Sequence, residues 1–154
     1  MFIPVFRMFG KVLNMNLLPL LTAMMTVESG GDDTKINRKE QAYGCLQIRQ
    51  PVIDDVNSEI FHFRQGNIVN VPTCMLPLHY VSLEQVLERH CAINVAEVYL
   101  TRWGDIYKRR TNKEPTYEVY VRIWVGGPDG WIRESTLKYW NKVKAELKKN
   151  GEEI

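Results

Sequence analysis

The chain has 154 residues, of which 45% are hydrophobic and 25% are charged, and its formal net charge is +2. This length fits one domain with its own core, and the composition excludes a disordered or fibrous protein. The small net charge argues against nucleic-acid binding, so the basic clusters at residues 108–113 and 142–149 are expected to be solvated helix faces. We expect a single domain over residues 1–154, with residues 1–10 as an N-terminal extension.

The first predicted helix covers residues 12–27, where apolar residues recur at spacings of three and four. Glu28 follows at its C-terminal end, and Gly30 and Gly31 then break the helix. The apolar run from Leu17 is shorter than the ~20 residues of a membrane span. Cleavage after this run as a signal peptide would remove the helix that carries Glu28. We therefore expect a buried core helix, with no membrane span and no export signal.

The middle of the chain predicts little regular structure. Residues 43–48 favour a short extended piece, which is the one small β element expected. Pro51 predicts the start of a helix that reaches Val56 and Asn57. Residues 61–77 contain glycine and prolines without a clear period, so they are expected to form a long surface loop.

The second half of the chain predicts three helices. Ser82 and Gln85 form a capping-box signature before an apolar stripe that extends to Tyr107, which predicts the longest helix, with a bend near Gly104. A shorter helix at residues 116–124 is ended by a glycine pair. The last helix, at residues 135–149, has four apolar residues that are expected to face inward: Leu137, Trp140, Val143 and Leu147. These patterns predict a mainly α protein packed around one long central helix.

Glu28 is the first candidate for chemistry, because it lies between an apolar helix and two glycines. A carboxyl group there is half-buried yet open on one side, and burial raises its pKa so that it stays protonated near neutral pH. Helix C-termini disfavour negative charge, so stability alone does not account for an acid at this position. The alternative is a solvated glutamate at the helix end.

Two other segments have the residue types of a ligand site. In the first, Gly44 lets the backbone approach a ligand closely and Gln47 offers an amide. In the second, Trp124 and Trp131 flank a glycine-rich turn and could stack on the apolar faces of sugars. A buried strand and a helix stop with core aromatics are the respective alternatives, and both stay open.

No metal or cofactor site is predicted. The three cysteines, Cys45, Cys74 and Cys91, are an odd number without a CxxC pair, which indicates neither a disulfide framework nor a zinc site. A single bridge stays open, and each cysteine is expected to be a small buried residue. The three histidines lack a spaced set of metal-ligand partners, and His90, which lies on the apolar stripe, is expected in the core.

Four short motifs follow one another along the chain, namely Glu28-Ser29-Gly30-Gly31, then Ala42-Tyr43-Gly44 with Leu46-Gln47-Ile48, then Gly126-Gly127-Pro128, then Tyr139 within residues 135–143. In this order and spacing they resemble the soluble lytic transglycosylase family, whose relatives include goose-type lysozymes. The resemblance covers about residues 17–143 and implies a lysozyme-like α+β fold.

The resemblance also implies roles for the matching positions. Glu28 corresponds to the family's catalytic acid, and Tyr139 corresponds to the tyrosine that typically hydrogen-bonds it. Substrate contacts are implied for Ser29, Tyr43, Gly44, Gln47, Trp124, Gly126 and Gly127. Two positions depart from the family pattern: Leu46 stands where methionine is usual, and Val125 stands where asparagine ordinarily contacts the substrate.

The implied activity is cleavage of the β-1,4 bond between N-acetylmuramic acid and N-acetylglucosamine in peptidoglycan, with formation of 1,6-anhydro ends. It implies a monomer that needs neither a cofactor nor a metal and that binds glycan strands rather than nucleic acid. Because the cell wall lies outside the cytoplasm, delivery by a phage or by a secretion apparatus would be needed, and localisation stays open.

Two alternatives to a transglycosylase remain. A hydrolytic lysozyme needs a second carboxylate to position water, and five acids are candidates: Asp32, Asp33, Glu40, Asp54 and Asp55. Turn formation and helix capping explain these acids equally well. The other alternative is a lysozyme-like glycan-binding or structural protein with little or no turnover, which Val125 makes conceivable.

Overall fold

The computed structural model describes residues 15–65 and 79–154 of the chain. These residues contain five α-helices and one two-stranded sheet, joined by turns and short 3-10 helices. The helices are α1 (Leu18–Ser29), α2 (Gln50–Arg64), α3 (Arg89–Thr111), α4 (Tyr117–Gly126) and α5 (Leu137–Lys149). The strands β1 (Ile36–Asn37) and β2 (Ala42–Tyr43) pair antiparallel. The prediction of a mainly α domain with one small β element is confirmed.

The helix α1 begins at Leu18, so the predicted start at residue 12 is wrong for residues 15–17, while residues 12–14 lie outside the described part. Proline is tolerated only in the first turn of a helix, and Pro19 lies in the first turn of α1. The Asn16 side chain accepts a hydrogen bond from the backbone N–H of Leu18. At the other end, Gly30 takes the left-handed conformation that stops the helix directly after Glu28 and Ser29.

The β element differs in detail from the predicted extended piece. Residues 43–48 form a tight turn, closed by two backbone hydrogen bonds between Tyr43 and Ile48. The strand partner of β2 is β1, which no sequence signal predicted. A two-residue strand is too short for an alternating pattern to be visible.

The helix α2 continues to Arg64, so the predicted loop is wrong at residues 61–64. Residues 66–77 of that loop, with Cys74, lie outside the described residues. Ile53, Val56 and Ile60 keep the helical period and are buried. Asn57 contributes a further contact, because its amide group both donates to and accepts from the backbone of Val81.

The predicted long helix is divided in two. Gln85 accepts the capping hydrogen bond from the backbone N–H of Ser82, but the turn that follows, Glu84–Leu87, is a 3-10 helix. Glu88 is extended, and α3 starts only at Arg89. The break changes the helical register, so His90 is exposed and its predicted place in the core is wrong.

The helix α3 is nevertheless the longest element and packs against α2 and α4. It runs continuously past the glycine where a bend was predicted. A Cβ atom at Gly104 would lie 2.7 Å from the ring of Tyr120. This glycine therefore lets α4 approach α3 closely.

The last two helices agree with the sequence except at their ends. Thr116 caps α4 by accepting a hydrogen bond from the backbone N–H of Val119. In α5 the predicted inward residues Trp140, Val143 and Leu147 are buried, but Leu137 is 38% exposed. Leu137 is the first residue of α5 and is exposed at that end of the helix, so its inward assignment is wrong.

The remaining predictions concern burial and charge. Two of the cysteines lie in the described residues, and both were predicted to be buried. Cys45 is buried, whereas Cys91 is only half-buried. Arg109, Lys142 and Lys148 are exposed, as expected of solvated helix faces. Among residues 15–65 and 79–154, no helix has the length and apolar character that a membrane crossing requires.

Candidate active site

Glu28 lies in the last turn of α1, opposite the first turn of α5. The packing of α1 on α5 brings Tyr139 to this position, and its hydroxyl donates a 2.6 Å hydrogen bond to Oε1 of Glu28. The two residues are 111 positions apart in the sequence. The pairing implied by the family resemblance is thus present in the fold.

Burial raises the pKa of the Glu28 carboxyl group above its ordinary value. The hydrogen bond from Tyr139 lowers this pKa, as do the positive charges of Arg49 and Lys35 and the indole of Trp124, but the effect of burial is larger. A proton is therefore held on Glu28 to a higher pH than on an exposed glutamate. Burial, followed by the charge and the hydrogen bond of Glu28, raises the pKa of Tyr139 well above its ordinary value, which keeps the phenol protonated as a donor.

A groove of about 280 Å³ lies beside the Glu28 carboxyl group. Its walls come from the end of α1, the β1–β2 hairpin, the start of α2 and the end of α4. The lining residues are Glu28, Lys35, Asn37, Glu40, Gln47, Ile48, Arg49, Val52, Trp124 and Val125. A half-buried acid that opens onto a groove is the arrangement expected from the sequence.

The turn at residues 43–48 supplies Gln47 to the groove. Gly44 has φ +74°, and a Cβ atom there would lie 2.3 Å from the carbonyl oxygen of Val86. Gln47 also has a positive φ of 50°, and its amide nitrogen donates to the carbonyl oxygens of Lys35 and Gly44. Gly44 therefore has a structural part in fixing this turn, and Gln47 is held rigidly at the groove wall.

Ser29 and Tyr43 lie beside the groove rather than in its lining. The Ser29 hydroxyl lies 2.8 Å from the carbonyl oxygen of Cys45 and accepts a hydrogen bond from the backbone N–H of Gly31. These contacts connect the end of α1 to the turn that carries Gln47. Tyr43 packs against the hydrophobic core and pairs with Ile48 through its backbone. Both residues thus hold the groove wall in place.

The end of α4 forms the opposite wall. Trp124 lines the groove and packs edge to face on Tyr99, with 5.7 Å between the ring centroids. Val125 also lines the groove and is 45% exposed. A Cβ atom at Gly126 would lie 2.6 Å from the methyl group of Thr136. Gly126 and Gly127 therefore shape the turn after α4 without lining the groove.

Five acids were candidates for a second carboxylate. Of these five, Glu40 alone lines the groove. Asp33 pairs with Arg89, and Asp32 accepts hydrogen bonds from Thr34. Asp54 accepts from Gln50, and Asp55 accepts from the indole of Trp103. Glu40 itself forms an ion pair of 2.6 Å with Arg49.

Three polar groove residues had no part in the sequence-based site: Lys35, Asn37 and Arg49. They come from the hairpin and the start of α2, which meet Glu28 only in the fold. One available signal was Pro51, because a proline in the first helical turn places Arg49 at the N-cap of α2.

Within the described ranges, no group of three or more His, Cys, Asp or Glu side chains could hold a metal ion. The groove instead offers two acids, two cations, two amides and an indole, which suits proton transfer to a polar ligand. Comparison of the chain with protein-family models and with curated proteins gave no match.

Proposed function

We propose that this protein cleaves the glycan strands of peptidoglycan as a lytic transglycosylase, with Glu28 as the general acid and base. The supporting observation is the pairing of Glu28 with Tyr139 at the edge of the groove, with the pKa of Glu28 raised by burial. An acid whose pKa is raised in this way is suited to donate a proton to a glycosidic oxygen.

In the proposed reaction, Glu28 gives its proton to the oxygen of the β-1,4 bond between N-acetylmuramic acid and N-acetylglucosamine. The bond from the muramic acid C1 to this oxygen breaks, and positive charge develops at C1. The substrate's own 2-acetamido group stabilises that charge. The Glu28 carboxylate then takes the proton of the 6-hydroxyl group, whose oxygen bonds to C1. Glu28 ends as it began, and no water is consumed.

The neighbouring residues support this cycle. The Tyr139 hydroxyl stabilises Glu28 in its carboxylate form, so the residue can serve first as acid and then as base. Trp124 offers an aromatic face at the groove, and such faces stack on sugars. Gln47 is fixed at the wall by its own amide nitrogen, which leaves its amide oxygen to accept a hydrogen bond from a sugar hydroxyl or amide.

The direct experiment digests purified sacculi with the parent protein and with Glu28→Gln. The parent is expected to release muropeptides, and Glu28→Gln should release none above background, because glutamine cannot donate the proton. Folding of the variant is checked by circular dichroism. Equal release by both proteins would remove Glu28 from its proposed role.

A hydrolytic lysozyme is the second candidate, because Glu40 lines the same groove as Glu28. The Glu40 side chain is 52% exposed and its ion pair with Arg49 is weak, so the carboxylate is poorly fixed for positioning water, which argues against this role. Mass spectrometry separates the two reactions, because an anhydro end has one water less than a reducing end. We expect anhydro ends from the parent and equally from Glu40→Gln.

A further inference from the structure

Two cationic side chains lie in the groove beside Glu28, and the proposed proton transfer uses neither of them. Arg49 and Lys35 both line the groove, and both are near enough to Glu28 to lower its pKa. With Glu28 protonated, the charged lining residues are Arg49, Lys35 and Glu40. The groove thus has a net charge of +1 when it is ready for substrate.

Arg49 stands where helix stability alone would not place a cation. It is the N-cap residue of α2, and the partial positive charge of a helix N-terminus disfavours a cation there. The first turn of α2 has no acidic residue to compensate. The guanidinium group therefore adds positive charge to an end of the groove that already favours anions.

Glu40 forms an ion pair with Arg49 that a ligand can displace. The pair is 2.6 Å apart, and the side chains of Arg49 and Glu40 are 56% and 52% exposed. Ion pairs exposed to this extent contribute little to stability. The carboxylate of Glu40 thus holds the position that a carboxylate of the ligand would take, and Glu40 can turn to solvent when such a ligand arrives.

Lys35 is the more constrained of the two cations. Its ammonium group donates a 2.7 Å hydrogen bond to the backbone carbonyl oxygen of Glu28, and the carbonyl oxygen of Lys35 accepts from Gln47. Its position is therefore tied to the catalytic end of the groove. Arg49 has the planar fork that binds a carboxylate through two parallel hydrogen bonds.

From this arrangement we propose that Arg49, assisted by Lys35, is a specificity-determining site for a carboxylate carried by the glycan, with Glu40 as the internal carboxylate that the substrate displaces. The inference rests on the proposed function. In peptidoglycan a carboxylate comes from the lactyl group of muramic acid or from a stem peptide attached to it. Neutral polymers of N-acetylglucosamine have neither group.

The test measures binding rather than cleavage, in the Glu28→Gln background, where Arg49 can no longer act through the ionisation of Glu28. Three ligands of equal length are titrated by calorimetry. The first is an alternating oligosaccharide with free lactyl carboxylates, and the second is the same oligosaccharide with those carboxylates amidated. The third carries stem peptides, whose own carboxylates replace the blocked lactyl groups.

In the Glu28→Gln protein we expect an acidic ligand to bind about tenfold tighter than the amidated one, as for a charge-assisted bidentate contact. Adding Arg49→Gln should reduce this preference to about twofold, and adding Glu40→Gln should increase it. Arg49→Lys should give an intermediate preference. Arg109→Gln, which removes one positive charge from the exposed end of α3, is the matched control and should keep the full preference.

The outcomes separate the inference from the function on which it rests. A stronger preference for the first or the third ligand identifies the lactyl group or the stem peptide as the source of the carboxylate. Equal binding of all three ligands overturns the carboxylate site and leaves the proposed function standing. A preference that survives Arg49→Gln also overturns it. Failure of every ligand to bind contradicts the proposed function itself.

Discussion

The hydroxyl of Tyr139 donates a 2.6 Å hydrogen bond to Oε1 of Glu28 and so joins the first turn of α5 to the last turn of α1. Two opposing effects act on the ionisation of Glu28, and this hydrogen bond is one of them. Burial favours the protonated acid, whereas the hydrogen bond favours the carboxylate. A residue that first gives and then takes a proton, as we propose for Glu28, benefits from both, because neither form is then strongly excluded.

Tyr139→Phe is expected to raise the pKa of Glu28 further, because it removes a hydrogen bond that lowers this pKa. Cleavage that needs protonated Glu28 is present below this pKa and lost as the pH rises through it. The alkaline limb of the pH–rate profile should therefore move to higher pH. The maximal rate should fall about tenfold, because the carboxyl group loses its fixed orientation.

The measurement is muropeptide release from sacculi across pH. Tyr117→Phe is the matched control, since it removes a phenol that donates to the backbone of Asn16 at the start of α1. That control should keep the parent's alkaline limb. An alkaline limb that stays in place in Tyr139→Phe would show that the hydrogen bond does not act on the ionisation of the essential acid.

Glu28→Gln is expected to stabilise the fold at neutral pH while it abolishes cleavage. The folded-state pKa of Glu28 is raised above the unfolded value, so its contribution to stability is full below the unfolded pKa and is lost as the pH rises through the folded pKa. Glutamine has no such loss. The melting temperature should rise by a few degrees at pH 7 and match the parent near pH 3.

Calorimetric or fluorescence melting at the two pH values tests this prediction. Glu153→Gln removes an exposed glutamate near the end of the chain and should leave the melting temperature unchanged at both. A melting temperature of Glu28→Gln below that of the parent at pH 7 would mean that the native site favours the charged acid, which contradicts the role of burial.

The sequence predicts the position of Glu28 at the end of a buried helix because the signals for that position are local. The helical period of α1 and the glycines after it stand next to one another in the chain, and both depend on backbone preferences. Tyr139 lies 111 residues away, so no periodicity connects it to Glu28. The family resemblance alone supplied that partner.

The errors in the sequence-based interpretation have physical causes of two kinds. Glu88 divides a continuous apolar stripe because one extended residue interrupts the helix, and no proline or glycine marks the position. Arg49 and Lys35 were missed because the groove forms from the hairpin and the start of α2, which approach Glu28 only through tertiary packing. Long-range packing of this kind leaves no pattern in a single sequence.

Gly44→Ala is expected to be severely destabilising, by about 3 kcal/mol or more, because two costs combine. The backbone has φ +74°, which L-residues rarely adopt, and the new Cβ atom would lie 2.3 Å from the carbonyl oxygen of Val86. That neighbour is backbone and cannot move aside cheaply. The displaced turn should also take Gln47 away from the groove wall.

Gly30→Ala is the matched control, because Gly30 is left-handed with a similar φ of 68° but has no atom within 4 Å of the added Cβ. It should cost about 1 kcal/mol, the conformational part alone. Urea unfolding of both variants measures the difference. Equal losses would mean that the contact with Val86 has no energetic weight.

Val125→Asn is expected to increase cleavage about fivefold in kcat/KM, the gain from about one added hydrogen bond to the glycan. Val125 lines the groove next to Trp124 and is 45% exposed, so an amide at this position can contact a sugar without losing buried packing. Stability should change by less than about 0.5 kcal/mol.

Initial rates on a soluble glycan oligomer provide the measurement. Ile132→Asn, at an apolar side chain that is 60% exposed and is not part of the lining, controls for the general effect of a more polar surface and should leave the rate unchanged. An unchanged rate in both Val125→Asn and Ile132→Asn would mean that valine suits the ligand of this groove. The departure from the family pattern would then reflect a different substrate contact rather than a weakened one.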